Sequence, residues 1–290
     1  MLQRKPKKLL LTGGSGFLGW NVLNHKQEKW LITGTTFTHS LQFQEQHKLI
    51  KLDITDRENL RATIDQIRPD AIIHTAAISD ANYCQNNPEQ PEAINVKSSI
   101  NLAKLARDLG IPFLFTSSDL VFDGKEAPYS ESDQPNPLSI YGEQKVKAER
   151  EIMATYPGAT ICRVPLMFGN AGPVAMSILQ HTLRNLRAGN TLNLFTDEFR
   201  TPANAASVAA GLFLVLEKEV TGIIHLGGAE SISRFNFGKL IADVFEIDNP
   251  EINPVLQKDL NLSAPRPANV SLNSDKAMAF GFKPKSIKKN

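Results

Sequence analysis

Only two cysteines, Cys84 and Cys162, occur in the 290 residues. So sparse a pair builds neither a disulfide framework nor a cysteine metal cluster, and it fits a reducing cytoplasm. No stretch approaches the ~20 apolar residues that a membrane span needs. The early run Leu9-Leu10-Leu11 follows basic residues, as in a secretion signal. It breaks at once into Thr12-Gly13-Gly14, with no small-residue cleavage pattern behind it. An excess of one charge is also missing, since 32 Lys and Arg face 30 Asp and Glu for a net charge of +2. Basic residues gather at the two ends, Arg4 to Lys8 and Lys283 to Lys289, where they read as solvated tails. Nucleic acid and membrane are therefore not expected partners, no metal site is expected, and a homodimer is compatible with the composition.

What is present is a regular alternation of short apolar runs and helical stretches. Strand patterns cover Lys8–Thr12, Trp30–Thr36, Lys48–Ile54, Ala71–Thr75, Phe113–Ser117 and Ala159–Val164. Helical patterns cover Phe17–Gln27, Glu89–Leu109, Ile140–Ala154 and a stretch ending near Ile67, which the run Thr55 to Glu58 opens as a capping box. Continuous apolar strands between helices predict a Rossmann-type α/β fold, a doubly wound parallel sheet with helices on both faces. After Pro165 the pattern loosens. The helix Asn204–Lys218 and the strand Gly222–Gly228 are expected to rejoin the sheet. This assigns 1–165 plus about 204–228 to a dinucleotide-binding domain. About 166–203 plus 229–290 would form a smaller C-terminal substrate lobe.

Gly13, Gly16 and Gly19 recur at three-residue spacing between the first strand and the first helix. Glycines permit a tight turn and close backbone approach, and a helix N-terminus offers free N–H groups to a pyrophosphate. Gly13, Ser15, Gly16, Phe17, Leu18 and Gly19 are thus candidate dinucleotide-binding residues. NAD sites often carry an acid about 20 residues further on, at the end of strand two. Here Gly34 to Gln44 holds no acid, while Thr38, His39 and Ser40 could donate to a 2′-phosphate. NADP is the expected cofactor, with NAD as the alternative; His39 is otherwise a surface histidine. Asp53 and Ile54 close strand three near the expected adenine, although Asp53 equally suits helix capping.

The segment from Phe115 runs from a buried strand into Ser117, Ser118 and Asp119, then through a proline-rich loop to Tyr141 and Lys145. Ligands sit at the carboxyl ends of parallel strands. Tyr141 and Lys145 are four apart and share one helix face. An ammonium beside a phenol favours the phenolate and lowers its pKa. The phenol could then give a proton to a carbonyl oxygen as hydride arrives at carbon, with a serine orienting that carbonyl. Each part alone is commonplace; their order along the chain carries the reading.

Together "TGGSGFLG", "HTAA", Asn95-Val96, "TSSD" and "YGEQK" resemble an extended short-chain dehydrogenase/reductase. The segment "SSDLVFDGKEAPYSESDQPNPLSIYGEQKVKAE" is similar to the dTDP-4-dehydrorhamnose reductase branch, which also contains the methionine adenosyltransferase beta regulatory subunit. The resemblance extends to Arg200–Ala209 and Ala264–Asn273. It implies a Ser118-Tyr141-Lys145 triad, with Ser118 and Asp119 at the substrate. It also implies small residues Ala76 and Ala77 under the cofactor, and contacts from Ser117, Tyr141, Lys145 and Pro165 to Met167 near the nicotinamide. Asn95 would be a relay residue or a buried helix polar group. Arg200 and Arg266 would meet substrate phosphates, because a guanidinium suits them, unless they are surface residues. Leu120 departs from the branch, which has an aromatic there, and the acidic pair of nucleotide-sugar dehydratases is missing. The implied activity is NAD(P)H-dependent reduction of a nucleotide-linked 4-keto-6-deoxy sugar. A cofactor-binding regulatory subunit and an epimerase are the alternatives.

Overall fold

The computed structural model describes residues 5–39 and 48–288. Ser40, read above as a donor to a 2′-phosphate, lies outside the described residues. Among the described residues seven strands form one sheet: β1 (Lys7–Thr12), β2 (Trp30–Thr36), β3 (Lys48–Lys51), β4 (Ala71–His74), β5 (Phe113–Ser118), β6 (Thr160–Val164) and β7 (Gly222–His225). Their spatial order is β7-β6-β5-β4-β1-β2-β3, and every pairing is parallel. The principal helices are α1 (Phe17–Leu23), α2 (Arg57–Ile67), α3 (Ala81–Asn86), α4 (Ser98–Leu109), α5 (Ile140–Thr155), α6 (Ile178–Arg187), α7 (Ala205–Glu217) and α8 (Arg234–Val244).

Strand β1 shows why its sequence is apolar throughout. Leu9 and Leu11 face a core shared with α1 and α7, where they meet Leu18, Val22, Val208 and Leu212. Leu10 points the other way, into a core with Leu60, Ile64 and Leu102 of α2 and α4. All three leucines are fully buried. Each such side chain contributes about 1.5–3 kcal/mol by leaving water. Beside β1 the chain winds one way to β2 and the other way to β4, so the loops at their carboxyl ends diverge and open a cleft.

Several boundaries differ from the sequence pattern for local reasons. Helix α1 stops at Leu23 rather than Gln27, where the Asn24 side chain bonds back to the Trp20 carbonyl. Asp56, not Thr55, caps α2, accepting from the Asn59 N–H. Asp53 instead turns the chain after β3 by accepting from the backbone and hydroxyl of Thr55. The helix expected over Glu89–Leu109 carries a wide, π-type turn at Glu92–Lys97 before α4. Gly110 closes α4 at φ 65°, a left-handed conformation suited to glycine.

Beyond β6, Leu192–Phe195 pairs with Ile252–Val255, and Phe199–Arg200 pairs antiparallel with Ile232–Ser233. The second pairing delivers the N-terminus of α8 to the strand-end side of the sheet.

Candidate active site

A cavity of about 450 Å³ lies over the carboxyl ends of β1 to β4. Gly13, Ser15 and Gly16 form one wall, Thr36, Phe37 and Thr38 another, with Asp53, Ile54, Ala76 and Ala77 completing it. Gly13 sits at φ +74°, and a Cβ there would meet the Ala76 nitrogen at 2.7 Å. A side chain on Gly19 would meet the Gly13 carbonyl oxygen at 2.1 Å. The glycines thus serve different purposes: Gly13 lets the loop approach the backbone after β4, Gly16 keeps the cavity wall bare, and Gly19 lets α1 close against the loop. Phe17, Leu18 and Gly19 are outside the cavity wall, and Leu18 and Gly19 are buried behind it. His39 also lies outside it; its Nδ1 approaches the Thr38 hydroxyl at 2.7 Å. The exposed ring of Phe37 on the rim had no signal in the sequence reading.

A second cavity of about 380 Å³ runs over β5 and β6, and Ser79 on its wall follows Ile78 on the wall of the first. Ser117, Ser118, Asp119 and Tyr141 line one side, and Pro165 and Met167 the floor. Glu198, Arg200, Arg234 and Arg266 face them from the C-terminal segments. The structure therefore brings together the strand-end serines, the tyrosine and both expected arginines. Ser118 Oγ accepts from the Leu120 N–H at 3.1 Å and donates toward Asp119 at 3.2 Å. Ser117 Oγ is buried and has no hydrogen-bond partner among the described residues. A buried hydroxyl with a free donor on a cavity wall is open to a ligand.

Lys145 lies beneath this wall, 2% exposed, donating to the Thr116 carbonyl at 2.9 Å. Its ammonium stands 4.6 Å from the Phe115 ring centre and 5.8 Å from that of Tyr141. Burial pulls its pKa down to about 8, against the charge of Glu149 one turn on. Tyr141 corrects the sequence expectation. Its phenol is pushed up, first by burial and then by Asp119, and a hydrogen bond with Ser118 offsets this in part. At 5.8 Å from the ring centre, with its ammonium turned to the Thr116 carbonyl, Lys145 does not offset the desolvation of the phenol.

Arg200 is the second correction. It is 4% exposed, with Nη1 at 3.2 Å from Asp119 and Nη2 at 3.1 Å from Glu198. Burial works against its charge, but the two carboxylates outweigh that and raise its pKa. Asp119 is raised by burial despite Arg200. This guanidinium is already neutralised and is poorly placed to receive a phosphate. Arg234, which the sequence reading missed, is not so matched. Burial lowers its pKa, Glu198 offsets this, and Arg200 and Arg266 add to the lowering. No sequence signal pointed to it, because only the pairing of Phe199–Arg200 with Ile232–Ser233 brings it to the cleft.

Asn95 lies in the wide turn, off both cavity walls. Its amide accepts from the Ile78 N–H and donates to the Ile78 carbonyl, both at 2.9 Å. It also donates to Gln144 at 3.0 Å. Among the described residues no His, Cys, Asp and Glu group could hold a metal ion, and no helix is long and apolar enough to cross a membrane.

The family model described as the RmlD substrate binding domain matches residues 7–290. A probable low-salt glycan biosynthesis reductase of Haloferax volcanii is 32% identical over 260 residues, covering 89% of this chain and 86% of that protein. The methionine adenosyltransferase 2 subunit beta of Xenopus laevis is 29% identical over 283 residues, covering 95% of this chain and 83% of that one. Among solved structures, a hypothetical dTDP-4-dehydrorhamnose reductase of Sulfolobus tokodaii superposes with a TM-score of 0.83 at 28% identity, covering 97% of this chain and 98% of that one.

Proposed function

Because the chain belongs to the RmlD substrate binding domain family, we propose that it is an NADP(H)-dependent reductase of a nucleotide-linked 4-keto-6-deoxy sugar. The observation that carries this reading is a pair of cavities along the carboxyl ends of one sheet, the second lined by Ser118 and Tyr141. One has the glycine walls of a dinucleotide site, and the other is faced by Arg234 and Arg266. The cavity residues fit such a cofactor: Gly16 presents bare backbone to the cavity, and Ala76 and Ala77 bring only small side chains to its wall. When bound, the cofactor supplies the hydride.

The chain's own residues do the rest. The Tyr141 phenol, kept protonated by burial, donates its proton to the substrate carbonyl oxygen. Ser118 holds that oxygen by turning its proton from Asp119 to it, and Ser117 offers a second, unpartnered hydroxyl nearby. Lys145 holds a proton behind the phenol. Arg234 and Arg266 take the diphosphate, while Arg200 holds Asp119 and Glu198 in place. The lack of an acid from Gly34 to His39 supports NADP, with NAD as the alternative. We propose a division of labour in which 1–165 plus about 204–228 binds cofactor and about 166–203 plus 229–290 selects substrate.

The direct test is NADPH oxidation on adding a panel of nucleotide-linked 4-keto-6-deoxy sugars. Turnover on any one supports the reading, and tight NADPH binding without turnover on all of them defeats it. The second reading, a cofactor-binding regulatory subunit, is favoured by the 29% identity to the methionine adenosyltransferase subunit over 95% of the chain. Copurification with a synthetase would support it. An epimerase would retain its nicotinamide cofactor through purification, whereas a reductase exchanges it.

A further inference from the structure

His74 is fully buried at the end of β4, between the rings of Phe113 and Phe115. Neither cavity reaches it. Its Nδ1 lies 2.5 Å from the Thr12 hydroxyl, and its Nε2 lies 2.8 Å from the Ser99 hydroxyl. The Ser99 hydroxyl also bonds to the Asn95 carbonyl at 2.8 Å. A carbonyl can only accept, so the single Ser99 proton is committed there. Ser99 must then accept from His74, which places the ring proton on Nε2. Nδ1 is left bare and accepts from Thr12, whose oxygen in turn accepts from the Ala76 N–H at 3.3 Å. Burial and the Lys145 charge keep the ring neutral, with its pKa lowered to about 3. The hydrogen bonds therefore run in one direction, from Thr12 through His74 and Ser99 to Asn95.

Both ends of this chain are informative. Thr12 immediately precedes Gly13, the first residue of the glycine loop. Asn95 stands in the wide turn and bonds to Gln144, the neighbour of Lys145 on α5. The backbone closes the circuit, because Thr116 donates to the His74 carbonyl while accepting from Lys145. Thr12, His74, Ser99 and Asn95 are all fully buried. In so apolar a setting hydrogen bonds are strong and geometrically demanding.

We propose that His74 is a positioning residue that couples the dinucleotide loop to the helix carrying Tyr141 and Lys145, through the chain Thr12–His74–Ser99–Asn95. Cofactor binding at Gly13 and Gly16 then settles the wide turn, and with it the helix α5. The proposal rests on the cofactor reading but not on the identity of the substrate.

The test is the calorimetric affinity for NADPH of Ser99→Ala, His74→Phe and the double variant. Ser99 contributes no wall to the cofactor cavity, yet its removal is expected to weaken NADPH by about tenfold. His74→Phe should do the same, and the double variant should be no weaker than His74→Phe alone. His74→Gln, which keeps a donor toward Ser99, should recover most of the affinity. Ring-nitrogen NMR of the wild type should show a neutral imidazole protonated on Nε2. Folded Ser99→Ala with NADPH affinity within twofold of wild type would overturn the proposal, as would strictly additive losses or an Nδ1-protonated ring. Ser99→Ala decides the matter if His74→Phe does not fold. Failure of the reductase reading would appear separately, as wild-type NADPH binding without turnover.

Discussion

Arg200 grips Asp119 across the cleft at 3.2 Å, with both side chains at most 5% exposed. The contact lacks hydrogen-bond alignment, and Glu198 takes the other amino group of the guanidinium. One cation thus serves two buried carboxylates. Arg200→Ala would strand both, and breaking a buried pair in this way costs about 3–5 kcal/mol. Thermal or urea denaturation should show that loss. Arg266→Ala and Arg234→Ala should unfold near the wild-type midpoint but raise the KM for the sugar nucleotide. If Arg200→Ala were as stable as wild type, the guanidinium would be free for substrate after all.

Tyr141→Phe should keep its affinity for NADPH, because Tyr141 lines only the second cavity. Losing a positioned general acid lowers turnover by about 10²–10⁴. Single-turnover kinetics with the true keto-sugar would measure this. Near-normal turnover would exclude the phenol as proton donor.

Lys145→Met should give a more stable but inactive protein. The folded pKa of about 8, against an ordinary 10.5, reflects burial that disfavours the ammonium. That depression costs stability on the order of 3 kcal/mol at neutral pH. The sign follows from proton counting: between pH 8 and 10.5 the unfolded chain binds the extra proton, so wild-type stability rises with pH across that window. The stability gap to Lys145→Met should therefore be largest below pH 8 and shrink toward pH 10.5. A gap independent of pH would show that the lysine carries no such penalty. In turnover, wild-type kcat/KM should fall as pH rises through about 8, where the ammonium is lost.

The glycine loop separates binding from folding. Gly16 is exposed, and a Cβ there meets only the Gly13 carbonyl oxygen, at 3.2 Å. Gly16→Val should fold and lose NADPH binding. Gly19→Ala drives a methyl to 2.1 Å from backbone and should lower the melting temperature. Equal melting temperatures with equal NADPH affinity would contradict both assignments.

The sheet and the glycine turn were legible in the sequence because their causes are local. The apolar runs of β1, β4 and β5 are buried on both faces, so no polar alternation obscured them. The three-residue glycine spacing states a backbone need that holds wherever the strand leads. Ser118, Tyr141 and Lys145 could be nominated by order along the chain, since a strand end and an i, i+4 pair are also local geometry. The remainder depended on distant residues meeting. Whether Arg200 or Arg234 is the freer cation follows from one antiparallel pairing between segments more than thirty residues apart. The phenol's pKa is raised rather than lowered because burial sums the packing of several elements around Tyr141. The wide turn at Asn95 coincides with an amide that clasps Ile78 and Gln144, and no periodicity encodes that clasp. Charge balance, desolvation and hydrogen-bond direction belong to the whole packed interior, so only the tertiary structure decided them.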